Sequence, residues 1–185
     1  MRSVFFPHAA AAVLVTGIIL LVYAAMQQQY RSAANDPQLQ MARDAVTALK
    51  QGKAVAEIMP TDTVDMEQSL ATCMQLYNTS GKQVASNGYI GAKPPVVPAG
   101  VLNKARVEGE YPVSWQPSPM ARMGAVIAYT GGRQGSYVLV TRSLEEVEKR
   151  IGALVKMIFM CWLLCMCVIC AHGLLQAYLR RNEYN

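Results

Sequence analysis

The chain has 185 residues and a net charge of +5, and 52% of its residues are hydrophobic. Between residues 31 and 150 the 13 basic and 11 acidic residues nearly cancel, and no basic stripe with interleaved aromatic residues appears, so nucleic-acid binding is not expected. Only one of the five cysteines, Cys73, lies in that segment, which excludes a disulfide bond within it.

The first predicted element is an apolar run, residues 9–26, which contains no charged residue. A helix needs roughly 20 apolar residues to cross the hydrocarbon core of a bilayer. We therefore predict a first transmembrane helix here, preceded by a short N-terminus of residues 1–8. A cleaved signal peptide is the alternative, because a basic start followed by an apolar core is also typical of one.

The middle of the chain, residues 27–150, is predicted to form one domain, since a segment of about 120 residues can bury a single core. Its first helix is predicted to begin with Asp36 as N-cap and to end at Gly52. A short second helix is predicted over residues 63–70. The first helix has one apolar stripe, formed by Leu39, Ala42, Val46 and Leu49.

Strand signals follow along the chain. Residues 73–77 and 83–86 flank a turn that contains glycine, which predicts a hairpin. Residues 88–100 predict a surface loop, and residues 98–108 a short helix. Further strands are predicted at residues 111–115, 123–129 and 136–141, the first near a sheet edge and the last two joined by a turn over residues 130–135. These elements predict an α+β fold around a central antiparallel sheet of about five strands.

The last strand leads into a second apolar run, residues 157–175. Gly152 is the only helix-weakening residue between Leu144 and this run, so one continuous helix is expected. We predict a second transmembrane helix with its lead-in at residues 151–178 and a short tail at residues 179–185.

The start of that helix is marked by Ser143 and Glu146, which have the spacing of a capping box. A helix is stiff, so a displacement at the sheet would be carried along it to the bilayer. We therefore expect a signal-relay helix that begins with Ser143, Leu144, Glu146 and Val147.

Two membrane crossings would place both termini on one side and the central domain on the other. Basic residues flank both faces of the predicted bilayer, so the positive-inside rule does not decide the orientation. The short N-terminus and the interfacial sequence Tyr178-Leu179-Arg180-Arg181 favour cytoplasmic termini. We predict a protein of the inner (cell) membrane whose central domain is periplasmic or extracellular.

The central domain contains no histidine, which removes Ser-His and Cys-His catalysis and a histidine-rich metal site. The two histidines of the chain, His8 and His172, lie at the ends of the apolar runs. We predict no enzyme activity, no cofactor and no metal site. The second run contains four cysteines without tetrahedral ligand spacing, which we interpret as packing residues: Cys161, Cys165, Cys167 and Cys170. The alternative is a metal site that takes Cys161, Cys165 or His172 from two copies of the helix.

Three stretches carry a resemblance to a known family: residues 75–88 (QLYNTSGKQVASNG), residues 124–128 (GAVIA) and, above all, residues 138–148 (VLVTRSLEEVE). Together with the order of elements, they resemble the extracytoplasmic PAS-like or single-Cache sensor domain of bacterial membrane histidine kinases. The resemblance covers residues 27–175 and implies a PAS-like fold. A kinase would continue past the second apolar run into a phosphoacceptor histidine and an ATP-binding domain, so no kinase activity is expected of this chain.

The resemblance also implies a ligand site between the sheet and its flanking helix. Arg122 would pair there with a carboxylate ligand. The competing interpretation is that Arg122 is exposed to solvent and the aromatic residues belong to the core. The candidate ligand-binding residues are Tyr77, Trp115, Arg122, Tyr129 and Tyr137.

The functional prediction is a membrane-anchored sensory or regulatory protein that binds a small ligand or a partner domain and has no output domain of its own. Its expected partners are the lipid bilayer and either a second copy or a separate sensor kinase or membrane protein. The alternative is a structural or assembly subunit that uses the same domain as a docking surface. A membrane redox protein based on the cysteines of the second run is a third, weaker reading.

Overall fold

A computed structural model describes residues 2–33, 35–131 and 135–183. Its contacts divide the chain into two units, one made of Met1–Tyr30 and Lys149–Asn185 and the other of Arg31–Glu148. In chain order the elements are α1 (Arg2–Ala33), α2 (Asp36–Lys50), α3 (Val55–Ile58), β1 (Val64–Asp65), β2 (Cys73–Tyr77), β3 (Gln83–Ser86), β4 (Gly88–Tyr89), α4 (Ala99–Glu108), β5 (Glu110–Ser118), β6 (Ala121–Tyr129), β7 (Tyr137–Ser143) and α5 (Glu145–Glu183).

The first unit consists of α1 and most of α5, two long apolar helices. By length and composition alone, Phe6–Tyr30 and Glu145–Asn182 are each able to cross a membrane, which is compatible with a bitopic membrane protein. Trp162 Nε1 donates a hydrogen bond to Thr16 Oγ1 at 3.1 Å. An almost entirely apolar cavity of about 280 Å³ lies beside this bond and is lined by residues of both helices, among them Tyr23 and Phe159. Both helices extend well beyond the apolar runs that predict them.

The second unit contains the predicted α+β fold. A five-stranded antiparallel sheet has the order β3-β2-β7-β6-β5, so β5 lies at an edge as its prolines predict. The hairpin of β2 and β3 is also as predicted, with Gly81 in the left-handed region at φ 79° in its turn. In the turn between β6 and β7, Thr130 N–H donates to Ser136 O, while the predicted turn residues 132–134 lie outside the described residues. Residues 1, 184 and 185 of the predicted tails lie outside them as well.

Helix α2 starts one residue earlier than the sequence predicts. Asn35 is its N-cap, and Leu39 N–H donates to Asn35 O at 2.9 Å, so Asp36 is the first helical residue and not the cap. The predicted end is correct, because Gly52 adopts φ 82°, a left-handed conformation that glycine reaches without a steric penalty.

The predicted helix over residues 63–70 is wrong. This stretch forms β1, which pairs in parallel with β4 inside the predicted surface loop. Val64 N–H donates to Asn87 O at 2.7 Å and Met66 N–H donates to Tyr89 O at 2.9 Å, so the backbone groups that a helix would use are bonded elsewhere. Asp65 Oδ1 also accepts a bond from Glu67 N–H, a local turn that competes with helix formation.

The two faces of the sheet carry separate buried clusters. Successive residues of a strand point to opposite faces, so one face meets α2 and the other meets α4. The α2-side cluster is aliphatic and contains Ala42, Ala45, Val46, Met74, Leu76, Val126, Ala128, Val138 and Val140. The α4-side cluster includes Tyr77, Val97, Leu102, Ala105, Ala125, Ile127, Tyr137 and Leu139.

Candidate functional site

Four of the five predicted ligand-binding residues lie together on the α4 side of the sheet. Tyr77, Tyr137 and Tyr129 occupy paired positions on β2, β7 and β6, so they form one cross-strand row. The rings of Tyr129 and Tyr137 have centroids 5.0 Å apart. Trp115, on β5, packs half-buried against the same cluster. We call these four residues the aromatic cluster.

Tyr77 is the most enclosed member of the aromatic cluster. Its ring is completely buried, its hydroxyl donates to Gln75 Oε1 at 2.7 Å, and Val97 N–H donates to the hydroxyl oxygen at 3.3 Å. Burial raises the pKa of Tyr77 to about 12, and the bond from Val97 partly opposes this rise. The hydroxyl is therefore a neutral hydrogen-bonding group at physiological pH.

Gln75 extends this polar patch, and the sequence analysis missed it. Its side chain is fully buried, and its amide nitrogen Nε2 has no hydrogen-bond partner within the described residues. A buried amide N–H without an acceptor costs free energy unless a water or a ligand supplies one. The available signal was a glutamine in an otherwise apolar strand, two positions from Tyr77 and hence on the same face.

Cys73 lies on this face as well, opposite Thr141 on β7. Burial raises the pKa of the Cys73 thiol to about 11, and hydrogen bonding with the Thr141 side chain opposes the rise. A thiol with so high a pKa is a poor nucleophile near neutral pH, because the thiolate is the reactive form. Cys73 is therefore a buried thiol beside the candidate site that stays protonated near neutral pH.

Arg122 does not join the aromatic cluster. Even-numbered residues of β6, including Arg122, point to the face opposite α4, whereas Met123, Ile127 and Tyr129 point to the α4 side. Its guanidinium is largely exposed and donates to Glu148 Oε1 at 2.8 Å. The predicted pairing of Arg122 with a ligand carboxylate is therefore not supported by its position.

The predicted relay residues form a compact junction between β7 and α5. Leu144 is the single residue between the two elements, and its N–H donates to Arg122 O at 2.9 Å. Ser143 Oγ accepts a bond from Glu145 N–H at 3.3 Å, and Glu146 forms an ion pair with Arg142 at 3.7 Å. The half-buried Val147 follows on the first turn of α5.

Gly124 makes this junction possible. A Cβ atom built on Gly124 would lie 3.0 Å from Leu144 Cδ2, 3.4 Å from Asn35 Oδ1 and 3.5 Å from Gln38 Nε2. Asn35 and Gln38, at the start of α2, and Leu144, just before α5, therefore all pack against Gly124 of β6. The domain is entered and left by the chain at neighbouring positions.

An open groove lies on the other side of the sheet, between α2 and α3. It encloses about 530 Å³, with a floor that includes Met41, Ala45 and Met74. Charges of both signs line it as well, from Asp44, Lys53 and Glu57. None of the predicted ligand-binding residues lines this groove.

Within residues 2–33, 35–131 and 135–183, no group of three or more His, Cys, Asp or Glu side chains is arranged to hold a metal ion. The aromatic cluster offers ring faces and the neutral hydroxyl of Tyr77, and the buried amide of Gln75 lies next to that hydroxyl.

No protein-family model matches the chain, and no curated protein matches its sequence.

Proposed function

We propose that this chain is a membrane-anchored sensory or regulatory protein whose PAS-like domain binds a small ligand and relays binding to α5. The domain would be extracytoplasmic, with both termini in the cytoplasm. A second copy or a separate sensor kinase would supply the output. The alternative is an assembly subunit that uses the domain as a docking surface.

The strand order supports a PAS-like identity. Numbered along the chain within the five-stranded sheet, the order β3-β2-β7-β6-β5 reads second, first, fifth, fourth, third. The first and last strands are thus central neighbours, and α4 covers one face between the second and third strands of that sheet. PAS-like domains share this arrangement.

The observation that carries the relay is the junction of β7 with α5. One residue separates the central strand β7 from a 39-residue helix, and bonds from β6 hold the first turn of that helix. Because β7 also carries Tyr137, a change at the aromatic cluster reaches α5 through one strand. A longer flexible linker would absorb such a displacement, whereas here Leu144 alone connects the strand to the helix.

The ligand class follows from the groups that line the aromatic cluster. Gln75 Nε2 has no acceptor among the described residues, and the ring of Tyr137, on the neighbouring strand and the same face, favours a flat or apolar body. We therefore expect a neutral ligand with a carbonyl, ether or ring nitrogen. Charged carboxylates and amines would lose hydration without gaining a partner of opposite charge.

A thermal-shift screen of the full chain in detergent tests this proposal. The library contains small neutral aromatic carbonyl compounds, carboxylates and amines. We expect stabilisation by neutral members, loss of that stabilisation in Gln75→Leu, and its retention in the matched surface variant Arg43→Ala. Hydrogen exchange of a stabilised sample should then slow at the amides of residues 144–150.

Other outcomes of the screen would contradict the proposal. If no compound stabilises the protein, or if stabilisation survives Gln75→Leu unchanged, the ligand site does not exist as described. Co-purification of one fixed membrane protein together with a silent screen would favour the assembly subunit, for which the α2–α3 groove offers an open apolar floor.

Orientation needs a separate measurement. Protease added to spheroplasts should cleave the central domain, whereas cleavage only after lysis would place the domain in the cytoplasm and end the proposal of extracytoplasmic sensing.

A further inference from the structure

The two histidines of the chain come together in the apolar helical unit, although 164 positions separate them. His8 Nε2 on α1 lies 3.1 Å from His172 Nδ1 on α5. Their ring centroids are 5.2 Å apart with an interplanar angle of 39°. Placing an ionisable side chain near an apolar span costs free energy, and such residues usually have a function, so this pair is a candidate site.

The pair is supported by neighbours on α5. Gly173 permits the approach of His8, because a Cβ atom there would lie 3.3 Å from His8 Cδ2. Gln176, one turn after His172, has its amide 3.4 Å from His172 Nε2. The side-chain amide can turn to present its oxygen to an Nε2–H, which leaves the lone pair of Nδ1 directed towards His8. A partner that orients the second nitrogen of a histidine is a regular feature of metal sites.

We propose that His8 and His172 bind a first-row divalent cation that prefers imidazole nitrogen, of the Zn²⁺ class. Two nitrogen ligands of tetrahedral Zn²⁺, each about 2.0–2.1 Å from the ion, lie about 3.3 Å apart. The observed 3.1 Å separation between Nε2 and Nδ1 is close to this distance. Binding would also require both rings to turn so that the two lone pairs converge on the ion, with the His8 proton carried on Nδ1. Water completes the coordination, since this chain brings only two histidines to the place.

The cysteines of α5 are too far along the helix to take part. Cys165 precedes His172 by seven residues, which is about 10 Å of helix rise. Cys170 is only two residues away but projects from another side of the helix. The proposed site is therefore formed by two histidines of one chain, whereas the alternative predicted from the sequence takes Cys161, Cys165 or His172 from two copies.

Titration of the full chain in detergent with Co²⁺, a spectroscopic substitute for Zn²⁺, tests the site. We expect visible d–d absorption without a thiolate charge-transfer band, and displacement of Co²⁺ by Zn²⁺. Each of His8→Gln and His172→Gln should weaken Co²⁺ binding at least about tenfold, and Gln176→Leu by about 10-fold through loss of the orienting amide. Gly173→Ala should weaken it as well, because the added methyl displaces the His8 ring.

The control replaces all four cysteines of α5 with serine and should leave Co²⁺ affinity unchanged. Circular dichroism confirms that each variant keeps its helices. Absence of Co²⁺ binding by the unchanged chain, binding that survives both histidine substitutions, or loss of binding in the serine variant would each overturn the proposal.

Discussion

The two faces of one sheet have different chemistry. On the α2 side, Val126, Val138 and Val140 meet alanines of the helix in a wholly aliphatic cluster. On the α4 side, the same strands present tyrosines together with Gln75 and Thr141, all deeply buried. Both faces bury apolar surface and an amide side chain, Gln38 of α2 on the first and Gln75 of β2 on the second, but only the second adds buried tyrosines.

This difference separates a stabilising surface from a candidate binding surface. Burying an amide nitrogen without an acceptor opposes folding, whereas an aliphatic residue at position 75 would not. Positions that break a local rule of stability are where function is expected. Gln38 on the α2 side also has a buried amide atom without a partner among the described residues, so the buried tyrosines are what distinguish the α4 side, and four substitutions sharpen or break this contrast.

The largest expected effect is on the aliphatic face. Leu76→Ala should lower the free energy of unfolding by about 2–5 kcal/mol, because it leaves a cavity beneath α2. Urea unfolding of the full chain in detergent, followed by circular dichroism, measures this change. Leu76→Met, which conserves volume, should cost less than about 1.5 kcal/mol. Equal losses for the two variants would mean that the face is loosely packed.

The second prediction concerns alkaline pH and the polar face. The pKa of Cys73 is raised from 9.0 to about 11 in the folded protein, so the unfolded chain releases its proton first as pH rises. The thiol should leave stability unchanged well below pH 9 and lower it between pH 9 and 11, by no more than about 3 kcal/mol.

Tyr77 allows the contribution of Cys73 to be isolated. Its pKa is raised from 10.0 to about 12, so its own alkaline loss begins roughly one pH unit later. In Cys73→Ala the fall in unfolding free energy should therefore start near pH 10 instead of pH 9. Urea titrations at a series of pH values measure both curves. Identical curves would show that Cys73 is not enclosed as described.

A third substitution removes one hydroxyl from the polar face. Tyr77→Phe should lower the free energy of unfolding by about 1–3 kcal/mol, since Gln75 Oε1 and Val97 N–H both lose a partner in a buried place. The matched control is Tyr111→Phe, whose hydroxyl only receives an exposed 3.4 Å contact from Lys104 Nζ. Thermal unfolding of both variants gives the comparison. Similar decreases in melting temperature for the two variants would mean that the Tyr77 hydroxyl is not part of a buried hydrogen-bond network.

The smallest effect on global stability is expected at the junction. Arg122→Ala should change the urea midpoint very little, because exposed ion pairs contribute little. It should nevertheless speed hydrogen exchange at the first amides of α5, since Arg122 holds Glu148. Arg43→Ala breaks a comparable exposed pair, with Glu110, at a distant position and should leave those amides unchanged. Equal hydrogen-exchange rates at these amides in the two variants would show that Arg122 does not hold the start of α5 against β6.

Local patterns predicted most elements, and the wrong helix over residues 63–70 shows where they fail. The hairpin of β2 and β3, the helix α4 and the edge strand β5 follow from turns, prolines and alternation. Residues 63–70 do not, because the bond from Val64 N–H to Asn87 O joins segments that only the folded chain brings together. The separation of Arg122 from the aromatic cluster could have been predicted, because its even position on β6 puts it on the other face of the sheet from Tyr129.

The sequence alone determined the two apolar terminal helices and the α+β class, because hydrophobic runs and periodicities are properties of neighbouring residues. Only the tertiary structure decided which side chains meet. Strand register set Tyr77 beside Tyr137, and helix packing set His8 against His172 across 164 positions. Such contacts depend on pairing between distant segments, and no local period of the chain encodes them.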